Sequence, residues 1–337
     1  MSVSSAECIR VGVRMRPLIA RERKVKAQPI WLVDPYSNTI MQKNSPGVRA
    51  SDGNRFGFNN VFDTHSSTEH VYNTLAKDIV VSSMNGINGT IFAYGQTSSG
   101  KTYTIKGDSK SLGVIELAMN DVFANVEKDK KTREFSLQMT YIEIYNETIR
   151  DLLNPNETNF PIYENKERGV YINNLQGITV NSAKDVLSLM GEGEAHRHYG
   201  RTSMNDFSSR SHTILTLAVC SKNKDMSEGI NKIRSSQLNF VDLAGSERLT
   251  QTGATGMRAE EGRSINKSLM FLGIVISRLS EQGKGLTANQ GHIPFRDSKL
   301  TRILQSSLGG NSRTAIICNV GPAAQDREHT VSTLRFG

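Results

Sequence analysis

The stretch IFAYGQTSSGKT, residues 91–102, decides the fold that the sequence predicts. It contains a glycine, four further residues and then Gly-Lys-Thr, which is the spacing typical of a loop that binds phosphates. The apolar run ahead of it, residues 90–94, predicts a buried strand, and the residues after the loop can begin a helix. An ordinary glycine-rich turn is the alternative, but a strand directly before the loop favours phosphate binding. The positions that match the pattern are Gly95, Gly100, Lys101 and Thr102.

The chemistry of this loop suits a nucleotide. Glycines let the backbone curl so that its N–H groups point inward, and a following helix adds the positive end of its dipole. Lys101 can reach the β- and γ-phosphates, and the hydroxyl of Thr102 can ligate Mg²⁺. The predicted phosphate-binding residues are Gly95, Gln96, Thr97, Ser98, Ser99, Gly100, Lys101 and Thr102.

A second segment lies at the end of another predicted strand. Residues 238–241 form a short apolar run, followed by Asp242 and then by LAGSE. An acidic residue at the tip of a buried strand is what phosphate-loop enzymes use to hold Mg²⁺, here through water. Gly245 can bring its backbone N–H against a γ-phosphate with no side chain in the way. A lone aspartate at a strand end is more often a turn former, yet the Asp-x-x-Gly spacing and the upstream loop together favour the magnesium role.

A third segment, residues 205–212, reads NDFSSRSH and precedes the strand-like run 213–220. Small hydroxyl donors suit the orientation of a water molecule, and an arginine suits a bidentate contact with a carboxylate. A serine-rich loop is by itself more often a turn. Together with the other two segments, this one predicts part of a catalytic site.

These motifs, with several others, make the chain resemble the kinesin motor domain. The resemblance runs from about Ile9 to the last residue, and the motifs occur in family order. Around Tyr199 the spacing Tyr-Gly-x-Thr-x-Met-Asn is most similar to the centromere-associated kinesin-7 type, like centromere protein E. The motifs are RMRP at 14–17, GQTSSGKT at 95–102, YIEIYNE at 141–147, NDFSSRSH at 205–212, DLAGSE at 242–247, INKSL at 265–269, PFRDSKLTR at 294–302 and STLRF at 332–336.

Hydrophobic periodicity predicts strands that alternate with helices, which is typical of an α/β sandwich with a mainly parallel centre. The resemblance implies a three-layer P-loop NTPase fold. Its central sheet would be mixed, mostly parallel and of about eight strands, with helices on both faces, in one domain over residues 1–337. The polar segment 221–236 is interpreted as a solvated hairpin tip. The predicted strands include 9–15, 136–145, 213–220 and 314–320, and the predicted helices include 68–83, 112–127, 182–191 and 260–280.

Bulk composition limits the class of partner. The chain has 337 residues, a formal net charge of +8 and 37% apolar residues. Positive charge favours an acidic partner, but no recognised nucleic-acid signature occurs, so nucleic acid is not predicted. No apolar run suits a membrane span or a signal peptide, so no membrane insertion is expected. The basic runs 21–26 and 128–133 are interpreted as solvated loops. Cys8, Cys220 and Cys318 indicate reduced thiols, two of them in core strands.

Basic residues cluster where the resemblance implies contact with tubulin. Arg296, Lys299 and Arg302 surround a predicted helix start after Pro294, with Asp297 as its N-cap. From sequence alone, a solvated helix face is the alternative. The resemblance implies instead that these three side chains contact microtubules, together with basic residues of the preceding loop and helix. Those further residues are Arg248, Arg258, Arg263 and Lys267.

The resemblance also assigns roles around the nucleotide. The base of ATP is expected against Arg14, Arg16 and Pro17 on one side and Tyr103 on the other, although Tyr103 could instead be a core residue. Mg²⁺ is expected at Thr102, Ser209 and, through water, Asp242. The predicted catalytic residues are Asn205, Ser208, Ser209, Arg210, Asp242, Gly245 and Glu247.

Within that set the resemblance implies a division of labour. Ser208 and Ser209 would hold the attacking water and the γ-phosphate together with Gly245. Arg210 and Glu247 would form an ion pair that closes two switch segments and relays a proton through water. Catalysis would rest on positioning and charge stabilisation rather than on covalent chemistry.

The function implied is an ATP-dependent microtubule motor, directed to the plus end, in the cytoplasm on the cytoskeleton and more narrowly at the mitotic spindle or kinetochore. The chain stops before the neck linker and stalk of the family, so it is expected to be monomeric and the full-length protein dimeric. A depolymerising or tethering kinesin is one alternative. Another phosphate-loop phosphotransferase or GTPase is a second, although no Asn-Lys-x-Asp guanine signature occurs. A binding-only protein with a degenerate site is a third, although the loop and switch residues are all present.

Overall fold

The strands build one large sheet and two small ones. The computed structural model describes residues 9–43, 55–157, 159–166, 169–199, 209–224, 233–247, 257–283, 292–309 and 312–337. The strands are β1 (Ile9–Met15), β2 (Trp31–Asp34), β3 (Thr39–Gln42), β4 (Arg55–Gly57), β5 (Asn60–Phe62), β6 (Asn88–Tyr94), β7 (Arg133–Tyr145), β8 (Thr148–Asp151), β9 (Ile162–Asn165), β10 (Gly169–Ile172), β11 (Ile178–Thr179), β12 (His212–Asn223), β13 (Ile233–Asp242) and β14 (Ser312–Val320).

Helices follow most of the central strands. A π-helical turn, Tyr72–Ala76, joins the helices Thr68–Val71 and Lys77–Met84 into one continuous helical segment. The helices are α1 (Ala20–Lys24), α2 (Thr68–Val71), α3 (Lys77–Met84), α4 (Lys101–Lys106), α5 (Val114–Asp129), α6 (Ala183–Tyr199), α7 (Met257–Gly283), α8 (Lys299–Ile303), α9 (Gln305–Gly309) and α10 (Arg327–Phe336). Within the described residues, no helix combines the length and the apolar character needed to cross a membrane.

The main sheet is mixed, as predicted. Within the described residues it has nine strands in the order β11-β7-β12-β13-β6-β14-β1-β5, with β8 paired to β7. Pairings from β13 through β6, β14 and β1 to β5 are parallel, whereas those of β7 with β8, β11 and β12, and of β12 with β13, are antiparallel. Parallel pairing is therefore confined to the centre and one flank and is not the majority that the sequence predicts.

Two hydrophobic cores lie on opposite faces of this sheet. Along β6, Ile91 and Ala93 join one core while Phe92 and Tyr94 join the other, because successive side chains of a strand point to opposite faces. Residues of α2 to α6 pack into the first core, and residues of α7 to α10 pack into the second. Burial on both faces explains why the central strands read as continuous apolar runs in the sequence.

Three interpretations of the sequence need correction. The polar segment 221–236 is not all loop, because β12 continues to Asn223 and β13 starts at Ile233; residues 225–232 lie outside the described part. Cys220 lies in a strand but is exposed, whereas Cys318 is buried, and Cys8 lies outside the described residues. The basic run 21–26 is partly the helix α1, and Glu22 within it is completely buried.

Candidate active site

A cavity of about 810 Å³ opens at the carboxyl ends of the central parallel strands, the edge at which α/β sheets place ligands. The loop 95–102 leaves β6 there, and β1 ends beside it at Met15. The structure thus brings together most of the predicted nucleotide residues. Those that line the cavity are Arg14, Arg16, Pro17, Thr97, Ser98, Ser99, Gly100, Lys101, Thr102, Tyr103 and Ser209.

The loop needs glycine at the predicted positions. Gly95 has φ +148° and Gly100 has φ +100°, both in the region that side chains rarely adopt. A Cβ at Gly95 would also lie 2.2 Å from the carbonyl oxygen of Asn319, on the neighbouring strand β14. The loop is therefore pressed against the sheet edge, and its curvature is fixed by the sequence.

Lys101 is buried with its ammonium group turned into the loop. Its Nζ donates to the carbonyl oxygens of Gly95, at 2.9 Å, and of Gln96, at 2.8 Å. Burial lowers the pKa of Lys101, while the charges of Asp242 and Glu247 oppose that shift. A buried cation among carbonyl oxygens is well placed to exchange them for phosphate oxygens, which bind a cation more strongly.

Two of the predicted magnesium residues, Thr102 in the first turn of α4 and Asp242 at the end of β13, are in direct contact. The hydroxyl of Thr102 donates to Asp242 Oδ2 at 2.8 Å. Among the described residues, Asp242 Oδ1 is one of five buried side-chain polar atoms that have no hydrogen-bond partner, and the others include Gln96 Oε1 and Ser99 Oγ in the same loop. A hydroxyl and a carboxylate with a free lone pair are hard oxygen donors of the kind that Mg²⁺ takes. The residues present therefore fit the ion.

The segment after β13 packs directly on the phosphate loop. The N–H of Gly245 donates to the carbonyl oxygen of Ser209 at 2.8 Å, and the N–H of Ser246 donates to that of Gly95 at 3.1 Å. Both carboxylate oxygens of Glu247 accept from Thr97: Oε2 from the backbone N–H at 2.9 Å, and Oε1 from the hydroxyl. A Cβ at Gly245 would approach Glu247 Oε2 to 2.3 Å, so any side chain there would require this carboxylate to shift.

The four residues predicted to bind the base all line the cavity, but Arg14 packs against Tyr103 rather than lying across the base from it. Tyr103 is 40% exposed, which excludes the alternative that it is a core residue. The guanidinium of Arg14 lies 5.2 Å from the centre of its ring and donates to the hydroxyls of Thr104 at 2.9 Å and Thr68 at 3.0 Å. Arg14 therefore holds the aromatic face in place.

Arg16 supports the phosphate loop through a residue that sequence reasoning missed. Its guanidinium makes a bidentate ion pair with Glu22, with both N–O distances 2.7 Å, and its Nε donates to the carbonyl oxygen of Ser98 at 2.7 Å. Asp326 adds a third carboxylate contact at 3.3 Å. Glu22 lies only six residues from Arg16, so the signal was present in the sequence, hidden within a run of basic residues.

A second missed residue is His212, the last of the NDFSSRSH segment. Its Nδ1 accepts from the N–H of Ala244 at 3.1 Å, and its Nε2 contacts Ser268 Oγ at 2.7 Å. Burial, followed by the positive charges of Lys101 and Arg197, lowers the pKa of His212 to about 3. The imidazole is therefore neutral in the folded protein.

We expect this histidine to make the fold less stable as the pH falls below about 6.5, the usual pKa of histidine in an unfolded chain. Between that pKa and about 3 the unfolded chain binds the extra proton and the folded chain does not, so stability rises with pH. At pH 5.5 the loss is about 1.4 kcal/mol. Urea unfolding of the wild type and of His212→Asn at pH 7.5 and 5.5 measures it. An equal pH dependence in both proteins would contradict the assignment.

Four of the seven residues predicted to face tubulin line a separate surface. A second cavity, of about 740 Å³, is lined by Lys267, Arg296, Lys299, Arg302 and Glu164 among others. The carboxylate of Glu164 pairs with Arg296 at 3.2 Å and with Arg302 at 2.7 Å, a contact that the sequence did not suggest. The N-cap of α8 is Ser298 rather than the predicted Asp297.

Glu147, in the YIEIYNE motif, explains that cap. Its carboxylate accepts from the Ser298 hydroxyl at 3.0 Å and from the N–H of Lys299 at 2.7 Å, so it fixes the start of α8.

Some predicted positions cannot be located in this way. Asn205, Ser208 and Arg248 lie outside the described residues, as do the side chains of Arg258 and Arg263.

The sheet, the loop after β6 and Asp242 at the end of the neighbouring strand define a P-loop NTPase. The chain belongs to the kinesin motor domain family, since the family profile described as the kinesin motor domain matches residues 14–337. Similar curated proteins include kinesin-like protein KIN-7L of Oryza sativa subsp. japonica, 46% identical over 98% of this chain and 51% of its own length. Kinesin-related protein 4 of Dictyostelium discoideum is 46% identical over 97% of this chain and 16% of its own length.

Solved structures give the same family. A structure described as a fast kinesin is 40% identical, with a TM-score of 0.85 over 97% of this chain and 89% of its own. A KIF14 dimer with AMP-PNP, in complex with a microtubule, is 36% identical, with a TM-score of 0.86 over 98% of this chain and 92% of its own. The chain spans about half or less of the length of the curated relatives described above.

Proposed function

We propose that this chain is a single motor domain, residues 1–337, of an ATP-dependent microtubule motor, and that it hydrolyses ATP with Mg²⁺ at a rate stimulated by microtubules. The observation that carries the proposal is the meeting of three segments at one cavity. The Gly245 N–H donates to the Ser209 carbonyl oxygen at 2.8 Å, and the Ser246 N–H donates to the carbonyl oxygen of Gly95 in the phosphate loop at 3.1 Å. A site that surrounds a phosphate from three segments can change conformation when that phosphate is lost.

Bound ATP supplies the phosphoanhydride bond that is broken, and Mg²⁺ supplies positive charge at the phosphates. Lys101 exchanges its two carbonyl partners for the β- and γ-phosphates. Thr102, Ser209 and, through water, Asp242 would hold the ion. Tyr103, kept in place by Arg14, stacks on the base.

The attacking water is oriented by the segment before β12. Asn205, Ser208 and Ser209 provide the polar groups. The N–H of Gly245, which donates to the Ser209 carbonyl oxygen in the structure, would exchange that partner for the γ-phosphate. Arg210 and Glu247 close the two segments as an ion pair. In the structure Glu247 is bonded to Thr97, so closure requires that its carboxylate change partners. That exchange couples the closing of the site to the position of the segment after β13.

The basic surface beside α8 is proposed to bind tubulin. Lys267, Arg296, Lys299 and Arg302 line one concavity, and Arg248, Arg258 and Arg263 are proposed to extend it. The KIF14 structure, in which a related chain is in complex with a microtubule, supports this assignment. Contacts between surface charges weaken as salt screens them, so binding should be sensitive to salt.

The finer assignments are part of the same proposal. A place in the kinesin-7 group is supported by relatives from rice that carry the KIN-7 designation. Location on the cytoskeleton follows from microtubule binding. Plus-end direction, a stalk-mediated dimer, and a role at the centromere, kinetochore or mitotic spindle are hypotheses drawn from the resemblance.

The first experiment is steady-state ATP hydrolysis with and without stabilised microtubules, at low and at moderate salt. Strong stimulation that falls with salt supports the proposal, because the basic contacts are then screened. A rate that microtubules leave unchanged would contradict it and would favour another phosphate-loop enzyme. Stimulated hydrolysis that shortens the microtubules would favour a depolymerase.

We expect Glu164→Gln to lower the microtubule concentration for half-maximal ATPase by about two- to five-fold at low salt, since exposed pairs contribute roughly 0–1 kcal/mol. The change removes the internal carboxylate that holds Arg296 and Arg302, which leaves both for tubulin. Glu134→Gln is the matched control, because it removes the same charge at an exposed site on β7. An unchanged or weaker affinity in Glu164→Gln would mean that the carboxylate positions the arginines rather than competing for them.

A further inference from the structure

One imidazole joins the phosphate-sensing segments to the long helix α7. His212 is the first residue of β12 and lies two residues after Arg210 in the sequence. Its side chain is 2% exposed and contacts Ala244, between Asp242 and Gly245, on one side and Ser268 of α7 on the other. Three elements that sequence places far apart thus meet on one ring.

The hydrogen bonds determine which ring nitrogen of His212 carries the proton. The N–H of Ala244 can only donate, so Nδ1 must accept and the ring proton must lie on Nε2. Nε2–H then donates to Ser268 Oγ at 2.7 Å. A ring with one acceptor and one donor on opposite sides is rigid, so Ala244 and Ser268 are held at a set separation.

The surrounding backbone makes Ala244 sensitive to the nucleotide site. The residue before it, Leu243, bonds to Ala93 of β6, and the residue after it, Gly245, bonds to Ser209. A movement of Gly245 against a phosphate therefore moves Ala244. Such a movement of Ala244 must either stretch its 3.1 Å hydrogen bond to His212 or displace the imidazole ring together with Ser268.

We propose that His212 is a positioning residue that transmits the state of the segment after β13 to α7, and through α7 to the surface that binds the polymer. The inference rests on the proposed function, because it assumes that α7 and the basic surface engage microtubules. Lys267, which lines that surface, is adjacent to Ser268 in α7. His212 does not touch the cavity that holds the nucleotide, so its effect should be on coupling and not on ATP binding.

The test compares two serine variants of α7. Ser268→Ala removes the acceptor for His212 and leaves the nucleotide site unchanged. Ser277→Ala is the matched control, because it removes a hydroxyl from an exposed position on the same helix, where Ser277 bonds only to Glu281 at 3.4 Å among the contacts described. We expect Ser268→Ala to keep basal ATPase and the KM for ATP within about two-fold while its microtubule-stimulated kcat falls about five- to ten-fold, the size of one lost hydrogen bond of about 1 kcal/mol. Ser277→Ala should match the wild type.

His212 variants separate coupling from folding. His212→Asn places its amide oxygen near the position of Nδ1, so it can still accept from Ala244 but cannot reach Ser268. It should therefore reproduce the loss of stimulation seen in Ser268→Ala, with the KM for ATP unchanged. The melting temperature of each variant shows whether it is folded. If Ser268→Ala is unstable, His212→Asn alone decides the question.

The possible results distinguish the role of His212 from the proposed microtubule-stimulated ATPase activity. A wild-type protein that microtubules do not stimulate would contradict the proposed function itself. A stimulated wild type with stimulated kcat in both Ser268→Ala and His212→Asn within two-fold of normal would overturn the role of His212 alone. An equal fall in basal and stimulated rates would also overturn it, since that pattern indicates a merely structural histidine.

Discussion

Lys101→Ala is expected to lower ATP affinity and ATP turnover each by about 100-fold or more, because charge-assisted hydrogen bonds to phosphate are roughly twice as strong as neutral ones. The ammonium group is buried within the loop and is held by the Gly95 and Gln96 carbonyl oxygens. Each factor of ten corresponds to about 1.4 kcal/mol, so this loss amounts to about 3 kcal/mol in binding. Equilibrium binding of a fluorescent ATP analogue measures the affinity, and phosphate release measures the turnover.

The charge alone does not explain the expected effect. Lys110→Ala is the matched control, since it removes a positive charge from an exposed position a few residues beyond the same helix. It should bind and hydrolyse ATP normally. Lys101→Arg should also fail, because a planar guanidinium is too large for the space of a buried ammonium. Normal ATP affinity in Lys101→Ala would mean that the loop 95–102 is not the phosphate site.

The sequence predicted the parts of the site that local spacing encodes. The glycines of the phosphate loop, Thr102 and Asp242 lie where the motifs placed them, because a loop of that length between a strand and a helix has few conformations. Strand β1 was predicted at its observed limits, Ile9–Met15. Alternating apolar positions are enough to define such a strand.

Contacts between distant residues were not predictable in this way. His212 lies 32 residues from Ala244 and 56 from Ser268, and nothing in the local pattern links them. The same holds for Glu164 beside Arg302, 138 residues away. Such pairs are set by the topology of the sheet, which a single sequence does not reveal.

The start of α8 shows how a distant contact decides a local choice. Asp297 and Ser298 are both good N-cap residues, so propensity alone cannot separate them. Glu147 selects the second, because its carboxylate accepts from the Ser298 hydroxyl and the Lys299 N–H. The predicted end of β12 is wrong for a similar reason. The strand continues to Asn223 because β7 provides a pairing partner as far as Arg133.

The second large effect is expected for Arg210 and Glu247. Arg210→Ala and Glu247→Ala should each lower microtubule-stimulated turnover by about 100-fold or more, with ATP affinity within a few-fold of normal, because they stabilise the reacting state and not the bound nucleotide. If they act as one ion pair, the double variant should be no worse than either single variant. Additive losses would show that the two side chains act separately.

Glu247→Gln separates the ion pair from the contact that the structure contains. Glu247 now accepts from the backbone N–H and the hydroxyl of Thr97, and an amide oxygen can still accept one of these bonds but carries no charge for Arg210. If the catalytic state needs the charge, Glu247→Gln should be nearly as slow as Glu247→Ala. If Glu247 serves only to connect its segment to the phosphate loop, Glu247→Gln should retain much of the stimulated rate. The proposal that the Glu247 carboxylate leaves Thr97 to pair with Arg210 would then be wrong. Single-turnover hydrolysis at saturating microtubules decides between them, because it removes product release from the measured rate.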